Sequence, residues 1–335
     1  MKHSNVALFV PHNGCPHACS FCNQKQITGQ SYQPTAEDVV NTVETAKSSL
    51  KEASKNAEIA FFGGSFTAID RDYMTQLLEA ASPFVKNGDF AGIRISTRPD
   101  AIDQEILMLL KNYGVTSIEL GAQSMSDEVL AANKRGHTAE DVVKASGLIS
   151  ENGFSLGLQM MTGLYKSDPE TDRKTAEALA RLEPDTVRIY PTVVLKGTEL
   201  YDLYVSGEFV PQGLEEAVPL CAELLEFFEE RHIRVIRLGL HDSESLSENM
   251  AAGAYHPAFR ELCESEIVYR NTLAALERNR ISFGAAELFV NPSSVSRFIG
   301  QKRKNLIRLE KAGITAIVRQ DNRLGKYEVK CAPRY

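Results

Sequence analysis

Through the first 240 residues, short apolar or β-branched runs alternate with amphipathic stretches, and this rhythm restricts the fold more than any other feature of the chain. The runs at Val6–Val10, Glu58–Phe62, Gly92–Ser96, Thr116–Leu120, Phe154–Met161 and Thr186–Tyr190 read as strands, with a seventh at Ile233–Leu238. Their apolar character suits strands covered on both faces. Between them, Thr35 caps a helix running to about Lys55, with Asp38 three residues on, and Asp70 opens another to about Val85. Further helices are expected at Ile102–Asn112, Thr138–Asn152, Asp168–Leu182 and Glu215–Arg231. Strand and helix alternating every ~25–40 residues is βαβ architecture around a parallel sheet. Spacing alone fits a doubly wound sheet or a barrel, and six successive units suit the barrel better. The expected fold class is α/β: a partial (β/α)6 TIM-type barrel over 1–240 and a small C-terminal α+β domain over 241–335. Ligands gather at the carboxyl ends of the strands in either architecture, so the residues that close each strand are the ones to inspect.

The second domain reads as a polar run at Asp242–Asn249 and a helix through Phe259–Glu277. A strand at Ile281–Val290, a helix at Gly300–Ala312 and strands at Thr315–Arg319 and Lys326–Lys330 follow. Of 335 residues 43% are hydrophobic and 24% charged, which excludes collagen-like, disordered and disulfide-scaffold classes. No apolar run approaches the ~20 residues of a membrane helix, and the first residues lead into only a short apolar patch, too short for a secretory signal. A cytoplasmic protein without membrane contact is expected. The net charge of −7 argues against a general nucleic-acid binder. Residues 291–335, however, hold eleven Lys/Arg and three Asp/Glu, a local +8 on a body of −15. Such a tail either binds a polyanion or packs its cations on the acidic body, and charge alone does not choose.

Three of the six cysteines, Cys15, Cys19 and Cys22, fall within eight residues directly after the first strand, as C-x-x-x-C-x-x-C. A disulfide framework would spread its cysteines, so clustered thiols point to metal. Three thiolates on one loop can hold three corners of an iron–sulfur cube, and with no fourth cysteine nearby one iron stays open to a ligand. The alternative is a structural zinc site with His12 or His17 as fourth ligand, although such sites usually draw ligands from two knuckles. Cys221 and Cys263 sit in amphipathic helices and read as small buried hydrophobes.

With Phe21 just before its third cysteine, the motif resembles the signature of radical S-adenosylmethionine enzymes. Further motifs close the strands: Gly63-Gly64-Ser65-Phe66, Ser96-Thr97-Arg98-Pro99-Asp100, Glu119-Leu120-Gly121-Ala122-Gln123-Ser124 with Arg135-Gly136-His137-Thr138, and Arg188-Ile189-Tyr190-Pro191-Thr192. Together, from Cys15 to about Tyr201, they resemble the radical domain of Elongator complex protein 3, the Elongator catalytic subunit, and its shorter prokaryotic relatives. The resemblance implies a 4Fe–4S cluster on Cys15, Cys19 and Cys22, with S-adenosyl-L-methionine on the open iron. It also implies a reducing donor of flavodoxin or ferredoxin type, and cleavage of S-adenosylmethionine to a 5′-deoxyadenosyl radical. Phe21 would then lie near the adenine, and the backbone of Gly63, Gly64 and Ser65 would meet the methionyl amino group. Gln123 and Arg135 match cofactor-contacting positions, the arginine fork suiting a carboxylate. Ser96 stands where relatives often carry glutamate, and Gln159 where they carry aspartate or histidine. Both keep hydrogen bonding and lose charge. Tyr190 would face the substrate mouth.

The Elongator subunit modifies the wobble uridine of transfer RNA with the help of a second, acetyltransferase domain. This sequence ends about where that domain would begin, so acetyl transfer within the one chain is not expected. Transfer RNA is the candidate partner, with Lys302, Arg303 and Lys304 at the start of a predicted helix as its foothold. Two other readings stand beside it. One is a radical oxidoreductase acting on a small molecule, as in anaerobic coproporphyrinogen oxidase, whose family carries a further cysteine where this chain has Gln24. The other is a non-enzymatic zinc-site protein that binds RNA through its tail.

Overall fold

The computed structural model describes residues 4–11, 19–22, 32–242 and 244–333. Strands β1 (Ser4–Val10), β2 (Ala57–Gly63), β3 (Gly92–Thr97), β4 (Val115–Gln123), β5 (Ser155–Thr162) and β6 (Thr186–Pro191) lie side by side in sequence order. A short β7 (Val193–Leu195) leaves the sheet, and β8 (Arg234–Leu238) completes it as the seventh strand. All six pairings are parallel. The sheet curls into a half-barrel of the partial TIM type, and the seventh expected strand is a full member of it.

Local chemistry sets the helix boundaries. Thr35 and Asp38 form a reciprocal capping box before the helix Ala36–Leu50, and Asp70 accepts from the Tyr73 amide at 2.9 Å before Arg71–Lys86. Such caps contribute about 1 kcal/mol each. The first helix stops at Leu50 rather than Lys55, because Lys51 takes a left-handed backbone (φ 52°) and residues Lys51–Asn56 form a tighter 3-10 turn. Helices Asp127–Ala132 and Glu199–Val205 were not expected from the sequence. Nor were the helix Glu244–Asn249, inside the expected polar run, and β9 (Met250–Gly253), which pairs antiparallel with β7.

Side chains alternate across the sheet with the strand period of two. Ile59, Phe61, Ile93, Ile95, Ile118 and Leu120 pack outward into the core shared with the helices. The intervening positions place charge inside the curl. Arg94 donates to Glu58 (2.7 Å) and to Glu119 (3.0 Å), and Arg188 forks onto Glu119 at 2.6 and 2.9 Å. Gln159 donates to Glu119 at 3.0 Å, and Ser117 to Glu58 at 2.5 Å. Arg94 is 4% exposed and Glu119 1%. Two carboxylates and two guanidinium groups balance, so five strands, β2 to β6, are tied by a buried network of zero net charge.

The helix Phe259–Arg278 joins the half-barrel to the C-terminal region. Phe259, Cys263 and Ile267 belong to the barrel core, while Val268, Tyr269, Ala275 and Leu276 belong to a second core. That second core lies under a three-stranded sheet of β10 (Gly284–Val290), β11 (Ile314–Gln320) and β12 (Val329–Pro333), in the order β11-β10-β12. On the same helix Glu264 accepts from Arg260, Arg297 and Lys326. Burial pushes its carboxyl up, but the hydrogen bonds from Arg297 and Lys326 more than offset this and hold it down at about 2. The final helix begins at Lys304, not Gly300, because Lys302 and Arg303 both take left-handed backbone (φ 51° and 63°) that interrupts it. The last strand starts at Val329 rather than Lys326, since Gly325 to Glu328 form a turn closed by the Gly325 amide on Glu328. No helix among the described residues is long and apolar enough to cross a membrane.

Breaking the interior network leaves a buried charge uncompensated, a loss of about 3–5 kcal/mol. Arg94→Met is therefore expected to lower stability by that amount in urea denaturation. Arg71→Met removes an exposed pair with Glu105 (2.6 Å) and should cost about 1 kcal/mol or less. Equal losses would mean that water reaches the network.

Candidate functional site

Above the ionic belt, the rim at the carboxyl ends of the strands gathers most of the residues singled out by sequence. Residues 19–22 form a turn closed by the Cys22 amide on the Cys19 carbonyl at 3.1 Å. The loop after the helix Asp127–Ala132 holds this turn residue by residue. Arg135 donates through Nη1 to the Cys19 sulfur at 3.1 Å. Ser20 donates its amide to the Asn133 carbonyl (3.2 Å) and its hydroxyl to Asn133 Oδ1 (2.9 Å). The Arg135 guanidinium lies 5.9 Å from the centre of the Phe21 ring. From the other side the Leu200 amide donates to the Ser20 carbonyl at 2.8 Å, and Phe21 packs with Leu200 and Phe209. Cys15, with His12 and His17 of the zinc alternative and Gln24, lies outside the described residues.

Strand β4 supplies the floor. Arg135 Nη2 donates to the Gly121 carbonyl at 2.8 Å. A Cβ at Gly121 would stand 3.0 Å from Gln123 Nε2 and 3.4 Å from Arg135 Nη2, so the missing side chain is what lets both groups close over the strand. Gln123 itself takes a left-handed backbone (φ 64°), a strain of the kind that collects at ligand sites. Among the described residues its Oε1 is buried with no hydrogen-bond partner, as is Arg135 Nε. Each such orphan costs about 1–3 kcal/mol unless something fills it. A buried acceptor and a buried cationic donor beside a thiol are complementary to a ligand carrying hydroxyl and carboxylate groups. S-adenosylmethionine has both, and the residues present fit it.

The other sequence candidates divide. Gly63 has φ 123°, and a Cβ there would fall 2.4 Å from the Val10 carbonyl, which also accepts from the Gly64 amide at 3.1 Å. The glycine pair therefore lets β1 and β2 end in contact, with Ser65 buried beside them. Ser96 and Gln159 lie one layer lower, where Gln159 Nε2 donates to Glu119 and, at 3.4 Å, to Ser96. Lys302, Arg303 and Lys304 lie in the C-terminal region. All three are exposed, and Lys304 pairs with Glu215 at 3.1 Å. Lys302 and Arg303 form no ion pair among the described residues.

Sequence reasoning missed the ionic belt and Asn133. The belt had a signal: Glu58, Arg94, Glu119 and Arg188 each put a lone charge into an apolar strand, at a position alternating with outward residues. Asn133, in a loop, had none. His137 sits next to the site and its Nε2 contacts the Ala122 carbonyl at 3.2 Å. Burial, then the neighbouring Arg135 charge, push its imidazole down to about 4, so it is neutral at physiological pH.

The Radical SAM superfamily profile matches residues 9–179, and that of the Radical_SAM C-terminal domain matches residues 184–269. A tRNA uridine(34) acetyltransferase of Methanocaldococcus jannaschii is 31% identical over 258 residues, covering 65% of this chain and 47% of that protein. Human Elongator complex protein 3 is 27% identical over 265 residues, covering 66% and 48%. The chain spans about half the length of these curated relatives. Among solved structures, archaeal Methanocaldococcus infernus Elp3 with an N-terminal deletion superposes with a TM-score of 0.64 at 23% identity, over 80% of this chain and 63% of that one. The fold is thus shared with it, and the resemblance seen in the motifs extends over about two thirds of the sequence.

Asp172 holds the turn that follows β5, accepting from the Gly163 amide at 2.9 Å and the Ser167 hydroxyl at 2.6 Å. Burial pushes its carboxyl up to about 6. A raised carboxyl contributes stability that is fully present below the unfolded value near 4 and is lost as pH rises through 6. The stability of the wild type relative to Asp172→Asn should therefore fall between pH 4 and pH 7, read from thermal or urea unfolding. A gap constant over that window would contradict the burial of a charged group.

Proposed function

Since the chain belongs to the Radical SAM superfamily, we propose that it is a radical S-adenosylmethionine enzyme acting on a uridine of transfer RNA. Cys15, Cys19 and Cys22 would hold three irons of a 4Fe–4S cluster. The observation that carries the reading is the convergence of Cys19, Arg135 Nε and the orphaned Oε1 of Gln123 over the end of β4. When bound there, cluster and S-adenosylmethionine supply a 5′-deoxyadenosyl radical able to take a hydrogen atom from a substrate.

The chain's own groups bind and orient. Gln123 Oε1 accepts from a ribose hydroxyl, and Arg135 Nε donates to the methionyl carboxylate, each filling a site that is otherwise a buried loss. Phe21 packs against the adenine, and the Gly63-Gly64-Ser65 turn offers backbone to the methionyl amino group. Gln159 and Ser96, braced by Glu119, form the polar layer beneath. Tyr190, at the end of β6 next to Arg188, faces the substrate side. The transfer RNA assignment rests on the relatives named as tRNA uridine(34) acetyltransferases and on the exposed cations Lys302 and Arg303. The electron donor belongs to the flavodoxin or ferredoxin class.

Cys19→Ala is expected to reduce iron and sulfide to background after anaerobic reconstitution, while the circular dichroism spectrum stays that of the wild type. Normal iron content would remove Cys19 from the ligand set. Replacing Lys302 and Arg303 by Ala should weaken transfer RNA binding and flatten the slope of log affinity against log salt by about 1–2. Lys304→Ala should do less, because Glu215 already pairs with it. Unchanged affinity and slope in the double variant would take the tail out of the RNA interface.

A further inference from the structure

Arg135 makes a contact that cofactor binding does not call for. Its Nη1 is directed at the Cys19 sulfur at 3.1 Å, Nη2 is tied to the Gly121 carbonyl at 2.8 Å, and the residue is 7% exposed. The Arg135 carbonyl in turn accepts from Arg98 Nη2 at 2.6 Å, and Arg98 is itself braced by Asp100 at 2.8 and 2.9 Å. Asn133, two residues earlier, fixes Ser20 by both its backbone and its side chain. The guanidinium is therefore held by Cys19 and Gly121, its backbone is held by Arg98, and the sulfur it meets is held by the same loop. Among the described residues no carboxylate pairs with it. The full positive charge faces the thiol.

We infer that Arg135 sets the reduction potential of the cluster through its hydrogen bond to Cys19, a role separate from any contact with S-adenosylmethionine. This rests on the proposed function above. In one-electron reduction a donor of the flavodoxin or ferredoxin class gives up an electron and the cluster passes from its 2+ to its 1+ state, with no bond made or broken. The added negative charge is shared with the cysteine sulfurs, and hydrogen bonds to those sulfurs favour the more negative state. A buried guanidinium does so more strongly than a neutral donor, since charge-assisted hydrogen bonds are about twice as strong. Removing it makes the cluster harder to reduce.

The test is potentiometric titration of the anaerobically reconstituted full chain with titanium(III) citrate, followed by electron paramagnetic resonance, without S-adenosylmethionine. The proteins are the wild type, Arg135→Lys, Arg135→Gln and Arg135→Met, with iron and sulfide measured in each. The midpoint should become more negative in the order wild type, Lys, Gln, Met. If the methionine variant does not take up a cluster, the glutamine variant carries the comparison. The same midpoint in every cluster-bearing variant would overturn the inference. If those variants also bind S-adenosylmethionine more weakly, Arg135 is a carboxylate ligand alone. A wild-type chain that takes up no cluster would overturn the proposed function instead, so the two failures are distinguishable.

Discussion

The Glu119 carboxylate, enclosed in the curl of the sheet between Arg94 and Arg188, is the interaction on which the rest of the architecture depends. A parallel sheet needs both faces covered, and here helices cover only the outer one. The inner face is filled partly by charge, and charge is tolerated there only where it is paired and hydrogen-bonded. Because Glu58, Arg94, Glu119, Gln159 and Arg188 come from five successive strands, pairing them fixes those strands in one register. Glu119, Gly121 and Gln123 are alternate residues of β4. The belt that fixes Glu119 therefore also fixes the height of the rim, where the Gly121 carbonyl takes Arg135 and Gln123 bends into its left-handed backbone. A register shift between Gly121 and Gln123 marks the point where the strand leaves the sheet and becomes site.

Much of this was legible in the chain. The strands are short apolar runs of the kind a sheet covered on both faces carries, and Thr35 and Asp70 cap their helices as their side-chain chemistry requires. The cysteine spacing and the strand-closing motifs pointed to the rim where Cys19, Gln123 and Arg135 meet. What was not legible depends on distant partners. Nothing local announces that Arg94 and Arg188 share one carboxylate, or that Asn133 grips Ser20 from 113 residues away. The left-handed turn at Lys302 and Arg303 also escaped, because lysine and arginine are ordinary helix formers and neither residue signals a break. Short elements such as Glu199–Val205 and the β7–β9 pair are held by packing around Phe21 and Phe209 rather than by their own periodicity.

The charge asymmetry also has a structural answer. Arg297, Lys304, Arg308 and Lys326 of the basic tail pair with Glu264, Glu215, Glu266 and Glu229 of the acidic body. Much of the local +8 is thus internal to the fold and fastens the C-terminal region to the helices Leu214–Glu230 and Phe259–Arg278. Lys302 and Arg303 stand apart from that pairing, and the interruption of the helix between them and Lys304 turns them outward from it. A surface of two cations is small for RNA, so most of an RNA interface would have to come from the barrel rim.

The central claim, that the rim is a site for radical chemistry on RNA, is tested most directly by 5′-deoxyadenosine release. The reduced, reconstituted protein is supplied with S-adenosylmethionine, with and without bulk transfer RNA. The account predicts 5′-deoxyadenosine from the cluster-bearing protein, in an amount that rises when transfer RNA is present. A protein that holds its cluster yet releases none in either condition would contradict it.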